Sequence, residues 1–370
     1  MNEAAAIRIL DQLRTQGVTL TGLSADSRTV SPGEAFLAFP GQRSDGRRFV
    51  VDALAHGASA LLWEAKGGEK PLDCPVPAMA VEGLRDLSGF LADLVYGQPS
   101  KRLWLAGVTG TNGKTTVSQW LARALTDLGL SCGVIGTLGT GFPGSLEPGL
   151  NTTPDAIALH RLLAGFLKKG AGAAAMEVSS IGLDQGRVNG ARFNVAIHTN
   201  LTRDHLDYHG SMESYAEAKA RLFDFPDLEA SIINIDDAFG IALARRLVAR
   251  GARVIAYTQI DSNRDAVIGA EVFAARGVHT TAAGLQFEAV WRGAQASLHP
   301  RMVARFNVSN LLAVLAALVQ RGVSLGEAAS VVARMTPPRR LRQPSWQIMV
   351  MRRRRRWRPA PIRPIRLSQS

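Results

Sequence analysis

Short apolar runs recur along this chain, separated by stretches whose apolar positions fall at helical spacing. Residues 103–108 (Leu-Trp-Leu-Ala-Gly-Val) carry no polar side chain, and 133–137, 173–178, 195–199 and 231–235 are nearly as apolar. Runs of this length without alternation predict strands buried on both faces. Residues 117–128, 157–168 and 212–223 repeat apolar positions every three or four residues and predict helices between those strands. The alternation predicts an α/β fold with a parallel sheet covered by helices on both faces. Residues 267–298 turn strand-rich, with Gly277 and Gly284 as punctuation, and 307–319 and 324–335 predict two more helices.

Ahead of this region lies a first unit, 1–97. It holds an apolar run at 35–39, a helical pattern at 50–57 and a strand pattern at 58–63, with Ser31-Pro-Gly33 as a turn and 97–100 as a linker. A second unit runs from 98 to 338. After it the character changes: 339–370 contain eleven of the chain's arginines, no Lys, Asp or Glu, and no periodicity. The formal charge of +12 therefore belongs to one tail, and residues 1–338 are close to neutral. The tail reads as a disordered Arg/Pro-rich segment whose composition matches out-of-frame translation of GC-rich DNA. Cys74 and Cys132 lie far apart, which predicts no disulfide framework and fits a reducing compartment. No apolar run approaches the roughly 18 residues of a membrane span, and no basic start precedes an apolar run. The expectation is a cytoplasmic protein.

The densest chemistry is Gly110-Thr-Asn-Gly-Lys-Thr-Thr116, placed between a buried strand and a helix. A glycine turn running into a helix N-terminus aims backbone N–H groups at an anion, Lys114 adds charge, and the Thr115 hydroxyl suits Mg²⁺. The strict phosphate-loop spacing wants a glycine where this chain has Val108. Asn151, Thr152 and Thr153 precede a Pro-Asp helix start and offer polar donors at a loop edge. Glu177 ends an apolar strand, where an open α/β sheet forms its ligand crevice, and a lone carboxylate there suits Mg²⁺. Ser179, Gln185 and Arg187 follow and suit an anionic substrate. His205, Asp207 and His209 alternate, but without a nearby cysteine they favour a second Mg²⁺ near His205 over zinc. Spacing alone makes Lys219 a solvated helix lysine beside Glu213 and Glu217.

Together these motifs resemble the Mur ligases of peptidoglycan synthesis, ATP-dependent enzymes that join amino acids to a UDP-linked muramoyl peptide. The resemblance covers about residues 20–338. Asn151-Thr-Thr-Pro-Asp155 and Glu177-Val-Ser-Ser180, followed by Gln185 and Arg187, resemble those members that add the third residue. It implies an N-terminal UDP-binding α/β domain, a central P-loop ATPase-like domain, and a C-terminal Rossmann-like ligase domain whose motifs do not follow residue 338. On that expectation the chain as written does not ligate. Ser27, Gln42, Arg43 and Ser44 would contact the uridine nucleotide. Gly110, Thr111, Asn112, Gly113, Lys114, Thr115 and Thr116 would bind ATP. Asn151, Thr152, Thr153, Ser179, Gln185 and Arg187 would hold the muramoyl peptide. Thr115, Glu177, His205 and Lys219, the last as a carbamate, would bear on Mg²⁺, with Lys114, Lys219 and His205 as catalytic residues. The implied substrates are UDP-N-acetylmuramoyl-L-alanyl-D-glutamate and diaminopimelate or lysine, taken by a monomer without nucleic-acid or membrane partners. Ala304 stands where the family usually has glycine. Rival readings are a folylpolyglutamate synthase-like ligase and a nucleic-acid-binding protein acting through its tail.

Overall fold

Among the described residues, four short strands, β1 (Gly22–Ser24), β2 (Glu34–Ala38), β3 (Ala60–Glu64) and β4 (Ala78–Val81), pair in parallel in that order. Side-chain alternation divides β2 between two cores. Ala35 and Leu37 face the helices Asn2–Thr15 and Leu84–Val95, whereas Phe36 and Ala38 face Val50 and Ala53 of the helix Val50–Ala55. The structure is a computed structural model and describes residues 2–41, 44–65, 73–149 and 151–337. Gln42, Arg43 and the readings made for the tail lie outside the described residues.

The second sheet is built from β5 (Trp104–Thr109), β6 (Cys132–Gly136), β7 (Gly139–Phe142), β8 (Ser145–Glu147), β9 (Ala173–Glu177), β10 (Val195–His198), β11 (Ala230–Asn234), β12 (Val254–Thr258), β13 (Glu271–Thr281), β14 (Gly284–Trp291) and β15 (Ala294–Leu298). Their spatial order is β15-β14-β13-β12-β11-β10-β5-β9-β6-β7-β8. Pairing is parallel from β13 to β6 and antiparallel in the hairpins at both edges. Every residue of β5, β6, β9, β10, β11 and β12 is buried, as the unbroken apolar runs require. One face packs on the helices Lys114–Asp127, Phe306–Gln320 and Leu325–Val332, and the other on Ala156–Lys168 and Ala238–Ala249.

The chain goes from β5 to β6, returns to β9 between them, then crosses to β10 on the far side of β5. Consecutive connections therefore leave β5 in opposite directions. Such a reversal opens a crevice at the carboxyl ends of the strands. The loops after β5, β9 and β10 all arrive there.

Several elements differ from the sequence pattern. The helix expected at 117 begins at Lys114, because Gly113 (φ 88°) ends the loop and the chain turns helical at once. Asp155 is the helix N-cap rather than a first-turn residue, its Oδ1 accepting the Ala158 N–H at 2.9 Å. The expected linker at 97–100 is a tight reversal, with Gly97 and Gln98 both at positive φ and Pro99 opening a short helix. No helix among the described residues is long and apolar enough to cross a membrane.

The two sheets are held together by direct contacts. Arg161 donates from Nη2 to the Leu23 carbonyl (2.6 Å) and Glu34 (3.1 Å), and from Nε to the Tyr96 hydroxyl (2.9 Å). Arg192 reaches Glu3 at 3.1 Å, and Asn189 donates to the Asp86 carbonyl at 3.2 Å. At the centre of this junction a Cβ on Gly89 would overlap the Asn189 carbonyl. Gly89→Ala should therefore destabilise the protein by about 1–3 kcal/mol, the usual range for overpacking. Urea unfolding measures it, and an unchanged midpoint would show that the junction yields.

Candidate functional site

The glycine turn after β5 is shaped by its neighbours. Gly110 (φ 142°) lies against Thr199 and Asn200, and a Cβ on Gly113 would stand 2.6 Å from Asn310 Oδ1. Both positions need glycine, for backbone conformation and for space. The segment after β10 then straps the turn in place. Thr111 N–H donates to the Asn200 carbonyl (2.8 Å), and Asn112 N–H donates to Asn200 Oδ1 (3.0 Å). Thr199 Oγ1 and Asn200 Nδ2 both donate to the Asn112 carbonyl, at 2.6 and 3.0 Å. The Thr111 hydroxyl meets the Tyr215 hydroxyl at 3.1 Å.

Two lysines converge on this turn. Lys114 Nζ donates to the carbonyls of Gly110 (2.8 Å) and Thr111 (2.9 Å), and Lys219 Nζ donates to the same Gly110 carbonyl at 2.9 Å. The pattern-based reading of Lys219 as solvated is corrected here: it is only 1% exposed, with Nζ 4.4 Å from the Tyr215 ring centroid. Helix Met212–Ala220 packs its Lys219 face beneath the loop, a tertiary fact that a helical repeat with acidic neighbours does not reveal. Burial, reinforced by the Lys114 charge, pulls the Lys219 amine down from its ordinary range to about 7. Burial likewise lowers Lys114.

Opposite the lysines, Glu177 closes β9. Its Oε1 accepts the Thr137 N–H at 2.7 Å, and its Oε2 accepts the hydroxyls of Thr115 (2.9 Å) and Thr137 (3.2 Å). Burial raises its pKa against these bonds. A buried carboxylate beside a hydroxyl is an all-oxygen donor pair, the kind Mg²⁺ takes together with phosphate and water oxygens. Among the described residues no three His, Cys, Asp or Glu side chains converge into a metal cage.

These groups line a cavity of about 400 Å³, whose wall includes Thr111, Asn112, Gly113, Lys114, Thr115, Asn151, Thr152, Thr153, Glu177, Ser179, Arg187, His205 and Lys219. Thus most residues singled out in the sequence share one space. His205 reaches it from a left-handed backbone position (φ 51°), with Nε2 3.6 Å from Asp204. His209 instead meets the Ser180 hydroxyl at 3.0 Å. Thr153 is almost wholly buried, and its hydroxyl is occupied by the Glu177 carbonyl (3.0 Å), Ser179 Oγ (3.2 Å) and Ser179 N–H (3.0 Å). Thr152 meets Thr137 at 3.0 Å. Gln185 is not part of the wall; its amide holds Arg187. Gly110 and Thr116 are likewise not in this wall, and Ser27 and Ser44 belong to the first sheet's loops.

A second cavity, of about 610 Å³, lies against the same turn and is lined by Asn112, Gly113, Thr116, Asn200, Asp237, Gln259, Phe306 and Asn310, among others. Asn200, Thr137, Tyr215 and Asn310 are site residues that sequence reasoning passes over. Their only signal is position, directly after a strand end or on the helices that begin nearby.

With this geometry the comparisons are consistent. A model described as the Mur ligase middle domain matches residues 108–318, and one described as the Mur ligase family, catalytic domain, matches 19–96. The chain is 46% identical over 322 residues to a UDP-N-acetylmuramoyl-L-alanyl-D-glutamate--2,6-diaminopimelate ligase of Ectopseudomonas mendocina, covering 87% of this chain and 64% of that protein. With the ligase of the same description from Nitrosomonas europaea it shares 41% over 338 residues, covering 91% and 64%. A solved structure of a ligase so described matches with TM-score 0.74 at 32% identity, covering 86% of this chain and 63% of that one. The chain thus spans about 64% of the length of these curated relatives.

The buried amine has a measurable consequence. Its folded-state pKa of about 7 lies below that of the unfolded chain. Between roughly pH 7 and pH 10 the unfolded state holds the extra proton, so stability at this site rises with pH. Lys219→Met should be more stable than the parent at pH 7, and that advantage should shrink at pH 9.5, read from urea midpoints. A pH-independent difference would show that the amine is not desolvated.

Proposed function

As this chain belongs to the Mur ligase family, we propose that it carries the nucleotide and UDP-peptide sites of an ATP- and Mg²⁺-dependent ligase of peptidoglycan synthesis. The reaction is addition of diaminopimelate to UDP-N-acetylmuramoyl-L-alanyl-D-glutamate, as in the names of its relatives. One observation carries the reading: Asn112 and Gly113 line both cavities. A nucleotide whose phosphates lie along that turn has room for its base and sugar in the larger cavity. Its terminal phosphate then enters the smaller one, between Lys114 and Glu177.

The residues there suit phosphoryl transfer to a carboxylate. Arg187 and the polar edge of Asn151 and Ser179 hold the acidic peptide end. Turn N–H groups and Lys114 oppose the charge that develops on phosphoryl oxygens. ATP's γ-phosphate passes to the substrate carboxylate, giving an acyl phosphate and ADP, and the amine of the incoming amino acid displaces phosphate. Mg²⁺, held by Thr115 and Glu177, with His205 and a Lys219 carbamate for a second ion, supplies charge neutralisation when bound.

Carbamylation of Lys219 belongs to the proposal. It requires a neutral amine, whose lone pair attacks CO₂ as the nitrogen loses a proton. Burial supplies that amine near neutral pH. Both cysteines are free, which fits the cytoplasm, and the enzyme is read as a monomer.

Binding to the 370-residue chain tests the reading. Titration calorimetry should detect MgATP, and Lys114→Ala should weaken it more than roughly tenfold, about 1.4 kcal/mol. In ¹³C-bicarbonate a carbamate resonance should appear in the parent and vanish in Lys219→Arg. Unchanged MgATP affinity in Lys114→Ala would overturn the nucleotide assignment, and absence of the resonance would overturn the carbamate.

A further inference from the structure

Gln185 and Arg187 are expected to contact substrate side by side, yet the Gln185 amide is engaged within the protein at its oxygen and through one N–H. Oε1 accepts Arg187 Nε–H at 2.9 Å and Nη2–H at 2.7 Å. Two guanidinium donors cannot face an amide nitrogen, so the amide orientation is fixed. Its Nε2 then points at the Tyr208 hydroxyl, 3.2 Å away, and donates to it. The Tyr208 O–H is left to donate to Asp184 Oδ2 at 2.9 Å, and the other Asp184 oxygen accepts Arg221 Nη1 at 3.0 Å. Every donor and acceptor in this series has one direction, from Arg187 through Gln185 and Tyr208 to a carboxylate.

At its far end, Arg187 Nη1 donates to the Thr153 carbonyl at 2.8 Å. Of the five N–H groups of a guanidinium, three are thereby used. One remains on each terminal nitrogen, a pair suited to a carboxylate or phosphate. Arg187 lines the 400 Å³ cavity, whereas Tyr208 sits on the short helix Leu206–His209 that follows His205. There its ring stands 4.8 Å from that of His209, which bonds Ser180.

We infer that Tyr208, backed by Asp184, is a positioning residue that fixes the Arg187 fork through Gln185 for an anionic group of the UDP-linked muramoyl dipeptide. This rests on the proposed function. It gives a role to the Asp207-Tyr-His209 segment, whose alternation first invites a metal reading. The role also differs from that of Gln185 as a substrate contact, because the amide oxygen and one of its N–H groups are engaged in orienting Arg187 and meeting Tyr208. Without the tyrosine hydroxyl the amide loses its outer acceptor and is free to turn, and Arg187 loses its fixed plane.

The test is calorimetric binding of UDP-N-acetylmuramoyl-L-alanyl-D-glutamate and, separately, MgATP to the full chain and to Tyr208→Phe, Gln185→Leu, the double variant and Arg187→Ala. Tyr208→Phe should weaken the dipeptide ligand roughly three- to tenfold, the worth of one hydrogen bond, with MgATP affinity and urea midpoint unchanged. In the Gln185→Leu background the same change should add nothing, because the path runs through the amide. Parallel titration with UDP alone identifies the anion: a loss seen there assigns the diphosphate, and one confined to the dipeptide ligand assigns a carboxylate. Additive effects, or full affinity in Tyr208→Phe while Arg187→Ala loses binding, would overturn the positioning role. Failure of the parent to bind, or unchanged binding in Arg187→Ala, would instead overturn the proposed function.

Discussion

One backbone carbonyl, that of Gly110, accepts hydrogen bonds from two lysine amino groups, and the layout of the site follows from how they are brought to it. Lys114 comes from the helix that the turn itself starts, whereas Lys219 comes from a helix more than a hundred residues later in the chain. Bringing both there requires the turn after β5 to lie directly beside the strand end of β10. It also requires Gly110 and Gly113 to leave room for Thr199 and Asn310. The strand order β10-β5-β9 meets the first requirement and places Glu177 on the other flank. Two buried lysines at one oxygen disfavour each other's charge, and the Lys114 charge lowers the proton affinity of Lys219. The arrangement is therefore poised for negative charge, from a phosphate, a carboxylate, or a modification of the buried amine.

The same turn divides two cavities. A ligand that follows it passes from a roomier space edged by Phe306 and Asn310 into a narrower one walled by threonines, Glu177 and Arg187. The narrow space is bounded by the segments that follow β5, β6, β8, β9 and β10, and several of these segments are tied to one another. Thr153 joins the 151–155 segment to the end of β9, and Asn200 joins the post-β10 segment to the glycine turn. Such mutual support holds polar groups in fixed directions before a ligand arrives, which is what electrostatic preorganisation demands. Arg161 and Arg192 hold the first sheet against the second.

Much of this is legible in the sequence because it depends on local rules. Unbroken apolar runs mark strands buried on both faces, and a glycine turn before Lys-Thr-Thr marks the passage from β5 into a helix N-terminus. The less legible parts depend on distant partners. The burial of Lys219 comes from helix Met212–Ala220 docking under the turn, although its own sequence places acids nearby. Thr153 and Gln185 read as ligand contacts because they are polar at a loop edge, and the sequence does not reveal their bonds to Ser179, Glu177, Arg187 and Tyr208. The helix Asn2–Thr15 has a modest apolar stripe and is fixed by packing beside the helix Leu84–Val95 in the core of the first sheet. The edge hairpin β7–β8 is rich in glycine and carries little strand signal.

The most direct measurement is a crystal structure of the chain with a non-hydrolysable ATP analogue and Mg²⁺. The expected result has the phosphates along Gly110–Thr116, the base on the side of Phe306 and Asn310, and the terminal phosphate between Lys114 and Glu177 with Mg²⁺ on Thr115. A nucleotide bound in the reverse direction, or bound away from the turn on the first sheet, would contradict it.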